Sequence, residues 1–167
     1  MANPMETCIV YHSETGNTKR VAERLASATG ARLVPVKDCA CYTDETIYKL
    51  GAQRAHQGEK ATIEPREIDV SGCNMIVIGS PVWSWNPTPA INAAIAALNG
   101  CTGKRGIVFV TSGGKPGETL EIMARALEGR GVLVVGRVLF MPADLDAPGR
   151  FAELLNLVRR FSGTSFA

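Results

Sequence analysis

The sequence predicts a three-layer, doubly wound α/β domain: a five-stranded parallel sheet of order 2-1-3-4-5 between two layers of helices. Three observations carry this. Strand-like runs and helix-spaced apolar stripes alternate along the chain, as βαβ units require. The runs Cys8-Ile9-Val10-Tyr11, Met75-Ile76-Val77-Ile78-Gly79 and Ile107-Val108-Phe109-Val110 are apolar nearly throughout, which suits strands covered on both faces. The chemically unusual stretches follow these three runs, and in such a fold ligands bind beyond the carboxyl ends of the strands.

The first strand is expected over about Thr7 to Tyr11. The helix after it, beginning near Lys19, buries Val21, Ala22, Leu25 and Ala26 and turns Lys19, Arg20, Glu23 and Arg24 outward. Gly30 is placed to end it. Arg32 to Val36 forms a short second strand, and Pro35, which has no N–H for a ladder, assigns it to an edge. Residues 37–68 are the least regular part. Asp44 is positioned to cap a helix over Glu45 to Gln57, but its stripe of Ile47, Leu50 and Ala55 is thin. The sequence does not choose between a lid, a partner surface and tolerated length for this excursion.

Order returns with the third strand at Met75 to Gly79. Ile91, Ala94, Ile95 and Leu98 mark one face of the next helix. Ile107 to Val110 is the fourth strand, followed by a helix striped by Leu120, Met123, Ala124 and Leu127. The fifth strand begins at Val132 to Val135, and Phe151, Leu154, Leu155 and Val158 stripe the last helix. At 167 residues the chain is expected to be one domain, 1–167, with a full core.

Net charge is only +2, with acids and bases mixed, so no basic stripe points to nucleic acid. No long apolar segment suggests a membrane span or a secretion signal, and a cytoplasmic protein is expected. Five cysteines in such a chain are read as reduced thiols. Cys39-Ala-Cys41 lacks the two-residue gap of thioredoxin-like or zinc sites, and only His12 and His56 could help build a metal centre. No metal is expected.

Ser13-Glu14-Thr15-Gly16-Asn17-Thr18 links the first strand to its helix. The first N–H groups of a helix have no intrahelical partner, and the helix dipole adds partial positive charge there. Hydroxyls of Ser13, Thr15 and Thr18 and the amide of Asn17 supply further donors, while Gly16 lets the main chain come close. The loop contains no lysine, so neutral donors would hold a phosphate monoester in place. After the third strand comes Pro81-Val82-Trp83-Ser84-Trp85-Asn86, in which two tryptophans in a proline-rich loop suit a flat, polarisable ring. After the fourth, Thr111-Ser112-Gly113-Gly114 offers hydroxyls and unobstructed N–H groups to the polar edge of such a ring.

These segments resemble the flavodoxins and the wider flavodoxin-like FMN proteins from about Cys8 to Phe161. Ser13 to Thr18 is similar to their S/T-x-T-G-N-T phosphate loop, and Gly79-Ser80-Pro81-Val82-Trp83 to their G-S/T-P-x-W/Y segment. The resemblance implies FMN as cofactor. Ser13 to Thr18 would hold its phosphate, Pro81 to Asn86 would line the ring face, and Thr111 to Gly114 would meet its edge. Trp83 stacks by motif position, with Trp85 as the alternative. Gly114-Lys115 is followed by Pro116 and fits no nucleotide-hydrolysing loop, and neither glycine-bearing loop reads G-x-G-x-x-G. A receiver domain would need acids at these strand ends. Ser13 lacks the G-x-S-x-G setting of a hydrolase, and His12 is expected to face solvent.

Two functions follow from the resemblance. The first, preferred, is an electron carrier between redox partner proteins. The second is an FMN-dependent reductase passing hydride from NAD(P)H to a quinone or similar small acceptor. No side chain is assigned as acid, base or nucleophile in either. Acidic flavodoxins oppose a negative reduced flavin, whereas this chain is slightly basic and places glycines and Lys115 where the family commonly has an aromatic. One cation at roughly 5 Å and an effective dielectric near 20 favours anionic flavin by on the order of 3 kcal/mol. Exposure reduces that to below about 1 kcal/mol. A less strongly reducing flavin is therefore expected.

Overall fold

The computed structural model describes residues 6–162. Strand β1 (Glu6–Tyr11) leads into helix α1 (Asn17–Thr29), and the edge strand β2 (Arg32–Pro35) follows. Gly30 caps α1 in the left-handed conformation, with φ 73° and its N–H on Ala26 O. Two short strands, β3 (Lys37–Asp38) and β4 (Ile63–Glu64), pair antiparallel. Between them a helix runs as α2 (Asp44–Thr46), a π-turn at Ile47–Gly51 and α3 (Ala52–His56). Its cap is Thr43, not Asp44: the Thr43 hydroxyl accepts from Thr46 N, and Asp44 is the first helical residue.

Strand β5 (Ile68–Asp69) precedes the long β6 (Cys73–Trp83), which folds back as a hairpin on β7 (Asn86–Pro87). Then come α4 (Pro89–Ala96), β8 (Leu98–Asn99), β9 (Arg105–Thr111), α5 (Thr119–Glu128), β10 (Leu133–Phe140) and α6 (Pro148–Ser162). Leu98, read in sequence as part of a helical stripe, lies instead on β8, which pairs parallel with β5. The Ala97 N–H closes the helix on Ala93 and Ala94, and the chain then straightens.

The main sheet runs β2-β1-β6-β9-β10, all parallel, which is the expected 2-1-3-4-5 order in chain terms. Side chains alternate across it. Val10, Ile78, Val108 and Val110 meet Ile91, Ala94, Met123 and Leu127 of α4 and α5. Ile9, Tyr11, Val77, Ile107 and Phe109 meet Val21 and Leu25 of α1 and Phe151, Leu154 and Val158 of α6. Each face thus buries its own set, and a one-residue slip of any central strand would exchange them.

One expectation about thiols is corrected. Cys8 on β1 and Cys73 at the start of β6 are buried neighbours joined as a disulfide, with Cα atoms 6.1 Å apart. That separation lies inside the window for a bridge. Cys39, Cys41 and Cys101 are free thiols. Among the described residues no helix is long and apolar enough to cross a membrane, and no group of His, Cys, Asp and Glu could hold a metal ion.

Candidate functional site

The carboxyl ends of β1, β6, β9 and β10 surround a cavity of about 370 Å³, within the range of small-molecule sites. Thr15 and Asn17 line it from the first loop, Pro81 to Ser84 from the end of β6, and Thr111 to Gly113 from the end of β9. Segments distant in sequence meet there because each leaves the same sheet edge.

The first loop is shaped by Gly16, whose φ of 101° places the cap of α1 in the left-handed region. Its N–H donates to the Ser13 hydroxyl at 3.2 Å, and Arg20 N–H, bonded to Gly16 O, begins the helical ladder. The N–H groups between them are the ones a helix leaves free at its start. Thr18 is buried, and its hydroxyl shares a 2.9 Å hydrogen bond with that of Thr111, tying α1 to β9. Glu14 is turned from the cavity, its carboxylate 3.0 Å from His12 Nε2.

His12 is not solvent-facing as the sequence suggested; it is 1% exposed. The main chain stays in the sheet one residue beyond β1, with His12 N–H on Gly79 O at 3.2 Å. This tucks the ring between the end of β6 and the start of α4. Its Nδ1 meets Thr88 Oγ1 at 2.9 Å.

The tryptophans are not in an open loop. Trp83 is the last residue of β6, Asn86 pairs with it from β7, and Ser84 and Trp85 form the two-residue turn. Both turn residues are left-handed, with φ 50° and 62°, as tight hairpins require and as bulky side chains rarely adopt. Asn86 Nδ2 donates to Ser84 O at 2.7 Å and closes the turn. Trp83 lines the cavity; Trp85, 58% exposed, lies against Gly117 outside it.

The Trp83 indole is held edgewise by two rings, His12 at 5.5 Å and 77° and Tyr42 at 5.4 Å and 85°. Tyr42 is fixed in turn, its hydroxyl donating to the buried Asp38 carboxylate at 2.9 Å and receiving from Arg54 Nη1. Arg54 also stands 3.5 Å from Asp38. Burial, reinforced by the hydrogen bond to Asp38, pushes the Tyr42 phenol up to about 12. A neutral phenol thus backs the indole throughout the physiological range.

In the third segment the Ser112 hydroxyl donates to Gly114 O at 2.8 Å and accepts from Gly114 N–H at 3.2 Å. A Cβ added at Gly113 or Gly114 would meet no atom within 4 Å, so this side of the cavity is open. Ser13, Glu14, Gly16, Thr18, Trp85, Asn86 and Gly114 are not among the lining residues.

Other lining residues were not singled out from sequence. Ile47, Tyr48 and Ala52 come from the helix inside the 37–68 excursion, and Phe140, Pro142 and Leu145 from the end of β10. Tyr48 is 81% exposed yet faces the cavity. An outward tyrosine on a thin helical stripe was the available signal.

A parallel α/β sheet whose carboxyl edge combines a helix start, a fixed indole and an open glycine turn defines a mononucleotide-binding class. A family described as Flavodoxin matches residues 6–140, and the chain belongs to that family. No curated protein matches it in sequence. Among solved structures, a Bacteroides eggerthii protein assigned as a flavoprotein is 23% identical with a TM-score of 0.73, covering 92% of this chain and 98% of that one. A Lactobacillus acidophilus flavoprotein in complex with FMN is 26% identical with a TM-score of 0.64, over 85% and 97% of the two chains. The apo form of the NADH:FMN oxidoreductase EMOB is 14% identical with a TM-score of 0.61, over 95% and 89%.

The residues present fit FMN. The helix start and its neutral donors suit a phosphate, the fixed indole suits the ring, and the turn at Gly113 and Gly114 puts no side chain in the way of the ring's polar edge.

Proposed function

We propose that the chain holds FMN in this cavity and passes electrons between redox partner proteins. FMN, the cofactor of the family, supplies the electron chemistry; the protein supplies placement and electrostatics. Thr15, Asn17 and the free N–H groups at the start of α1 receive the phosphate, with Ser13, Gly16 and Thr18 shaping the loop. Trp83 covers the ring, and Thr111 to Gly113 meet its edge. The observation that carries this reading is Trp83, which lines the cavity while two further rings fix its edge.

The experiment is a titration of the purified protein with FMN, followed by visible spectra and by fluorescence, and then mixing with NADPH. Tight binding without steady NADPH oxidation supports the carrier. A colourless protein that takes up no FMN in excess rejects the site.

A second reading, a reductase taking hydride from NAD(P)H for a small acceptor, is favoured by the open flank at Gly113 and Gly114. A ring uncovered there is accessible to a second flat molecule. Steady NADPH oxidation with quinone, without a partner reductase, would put this reading first.

A further inference from the structure

His12 is a buried imidazole whose ring edge holds Trp83, but whose two nitrogens the proposed function does not use. Both nitrogens are engaged, Nδ1 with Thr88 Oγ1 at 2.9 Å and Nε2 with Glu14 Oε1 at 3.0 Å. Thr88 Oγ1 already accepts the N–H of Ile91 at the start of α4, and its own proton is free for Nδ1. The proton on Nε2 then goes to the Glu14 carboxylate. In either protonation state with a proton on Nε2, the imidazole donates to the Glu14 carboxylate while Nδ1 stays paired with the Thr88 hydroxyl.

The carboxylate so held is in an unusual place. Glu14 lies two residues before the cap of α1, and the first turn of that helix contains no acidic residue. Carboxylates are drawn to helix starts by the same N–H groups and dipole that draw phosphate. Glu14 is thus a competitor, built into the loop, for the groups that would receive an anionic ligand. Yet it is not among the cavity-lining residues, whereas its neighbour Thr15 and Asn17 are. Its side chain is only 25% exposed, folded back on the imidazole.

We propose that His12 is a positioning residue: by holding the Glu14 carboxylate against its Nε2–H, it keeps the anion cradle at the start of α1 clear and sets the affinity for the FMN phosphate. This rests on the FMN reading above. Losing the imidazole would release a carboxylate into the cradle and set its charge against the phosphate.

The test compares FMN with riboflavin, which has the same ring and no phosphate, using fluorescence titration of the full chain. His12→Phe keeps a ring against Trp83 but removes the donor. It should bind FMN weaker by on the order of tenfold and riboflavin as the wild type does. Adding Glu14→Gln to His12→Phe should restore FMN affinity to within about threefold, because the competing charge is gone. His12→Gln, whose amide reaches the Nε2 position, should retain FMN affinity. Glu14→Gln alone, whose amide oxygen can still accept from Nε2, should bind FMN at least as tightly as the wild type, even should His12→Phe fail to fold.

The inference is overturned by unchanged FMN affinity in a folded His12→Phe, by equal losses for FMN and riboflavin, by no restoration in the double variant, or by weaker FMN binding in Glu14→Gln. A wild-type chain that takes up neither flavin would instead reject the FMN reading, and this inference with it.

Discussion

Gly51 abuts the indole of Trp83: a Cβ on Gly51 would lie 3.0 Å from Cζ3 and 3.3 Å from Cε3 of that ring, with Tyr42 Cε1 at 3.5 Å. The glycine has helical dihedrals, φ −62° and ψ −47°, so close approach, not backbone freedom, explains it. The helix of the excursion thereby packs directly on the ring that lines the cavity. Gly51→Ala gains about 1 kcal/mol of helix propensity but must push the indole by a few tenths of an ångström. Thermal stability should change little, while FMN affinity falls by roughly threefold to tenfold, at the low end of overpacking effects. Unchanged affinity and flavin fluorescence would separate the excursion from the site.

Within the first loop, two threonines should behave differently. The Thr18 hydroxyl is committed to Thr111 at 2.9 Å in a buried setting. Thr18→Val leaves the Thr111 hydroxyl without this partner and should lower the stability of the ligand-free protein by about 1–3 kcal/mol in urea unfolding. Thr15 is exposed and lines the cavity. Thr15→Ala should leave ligand-free stability within about 0.5 kcal/mol and weaken FMN by roughly tenfold to a hundredfold, since a hydrogen bond to a charged group is involved. Riboflavin binding should not follow. If both variants changed affinity and stability alike, this division of labour would be wrong.

The parts of the fold that were legible in sequence are those where burial imposes a period. The run Ile76-Val77-Ile78 could only be a strand with both faces covered, and Val21, Ala22 and Leu25 only one side of a helix. The loop from Ser13 to Thr18 stood out by its chemistry, not its conformation, and of its residues Thr15 and Asn17 line the cavity. Four features were hidden because contacts between segments settle them. Motif position puts Trp83 ahead of Trp85, and it is the left-handed turn at Ser84 and Trp85 that sends the first to the cavity and the second outward. His12 reads as a loop residue until Thr88 and Glu14, brought up by different segments, engage both nitrogens. The 44–56 helix has a thin stripe because part of what it packs against is Trp83, and because Tyr48 faces a cavity instead of a core. Cys8 and Cys73 are neighbours only through pairing of β1 with β6, which no spacing rule announces.

Tyr48 is a further aromatic at the cavity, in addition to Trp83. The segment from Thr111 to Gly114 carries no ring, and Tyr48, exposed to 81%, is a lining aromatic that the π-turn delivers from elsewhere. If it covers bound FMN, Tyr48→Ala should weaken binding by about 0.5–1.5 kcal/mol, the added worth of an aromatic pair, or roughly twofold to tenfold. Tyr48→Phe, which keeps the ring, should bind as the wild type does. Equal affinities for all three proteins, measured by fluorescence titration, would leave Trp83 without a partner across the ring.

The support behind Trp83 should also be sensitive to alkali. Tyr42 donates to Asp38 at 2.9 Å, and its phenol is raised from 10.0 to about 12, first by burial and then by the Asp38 carboxylate. A phenol raised in the folded state favours folding while it is protonated. Its contribution is complete below the ordinary value and is lost as pH rises from about 10 to about 12. Tyr42→Phe has no such proton to lose. The stability difference between wild type and Tyr42→Phe, followed by urea unfolding, should therefore be constant from pH 7 to about 9.5 and shrink above it. Comparing the two proteins removes the parallel effect of Tyr11, also raised by burial and present in both. Since Tyr42 touches the indole edge, the visible spectrum of bound FMN should shift over the same alkaline window in the wild type and not in the variant. A difference in stability that stayed flat to pH 12 would mean that the Tyr42 phenol is not held by Asp38 in solution.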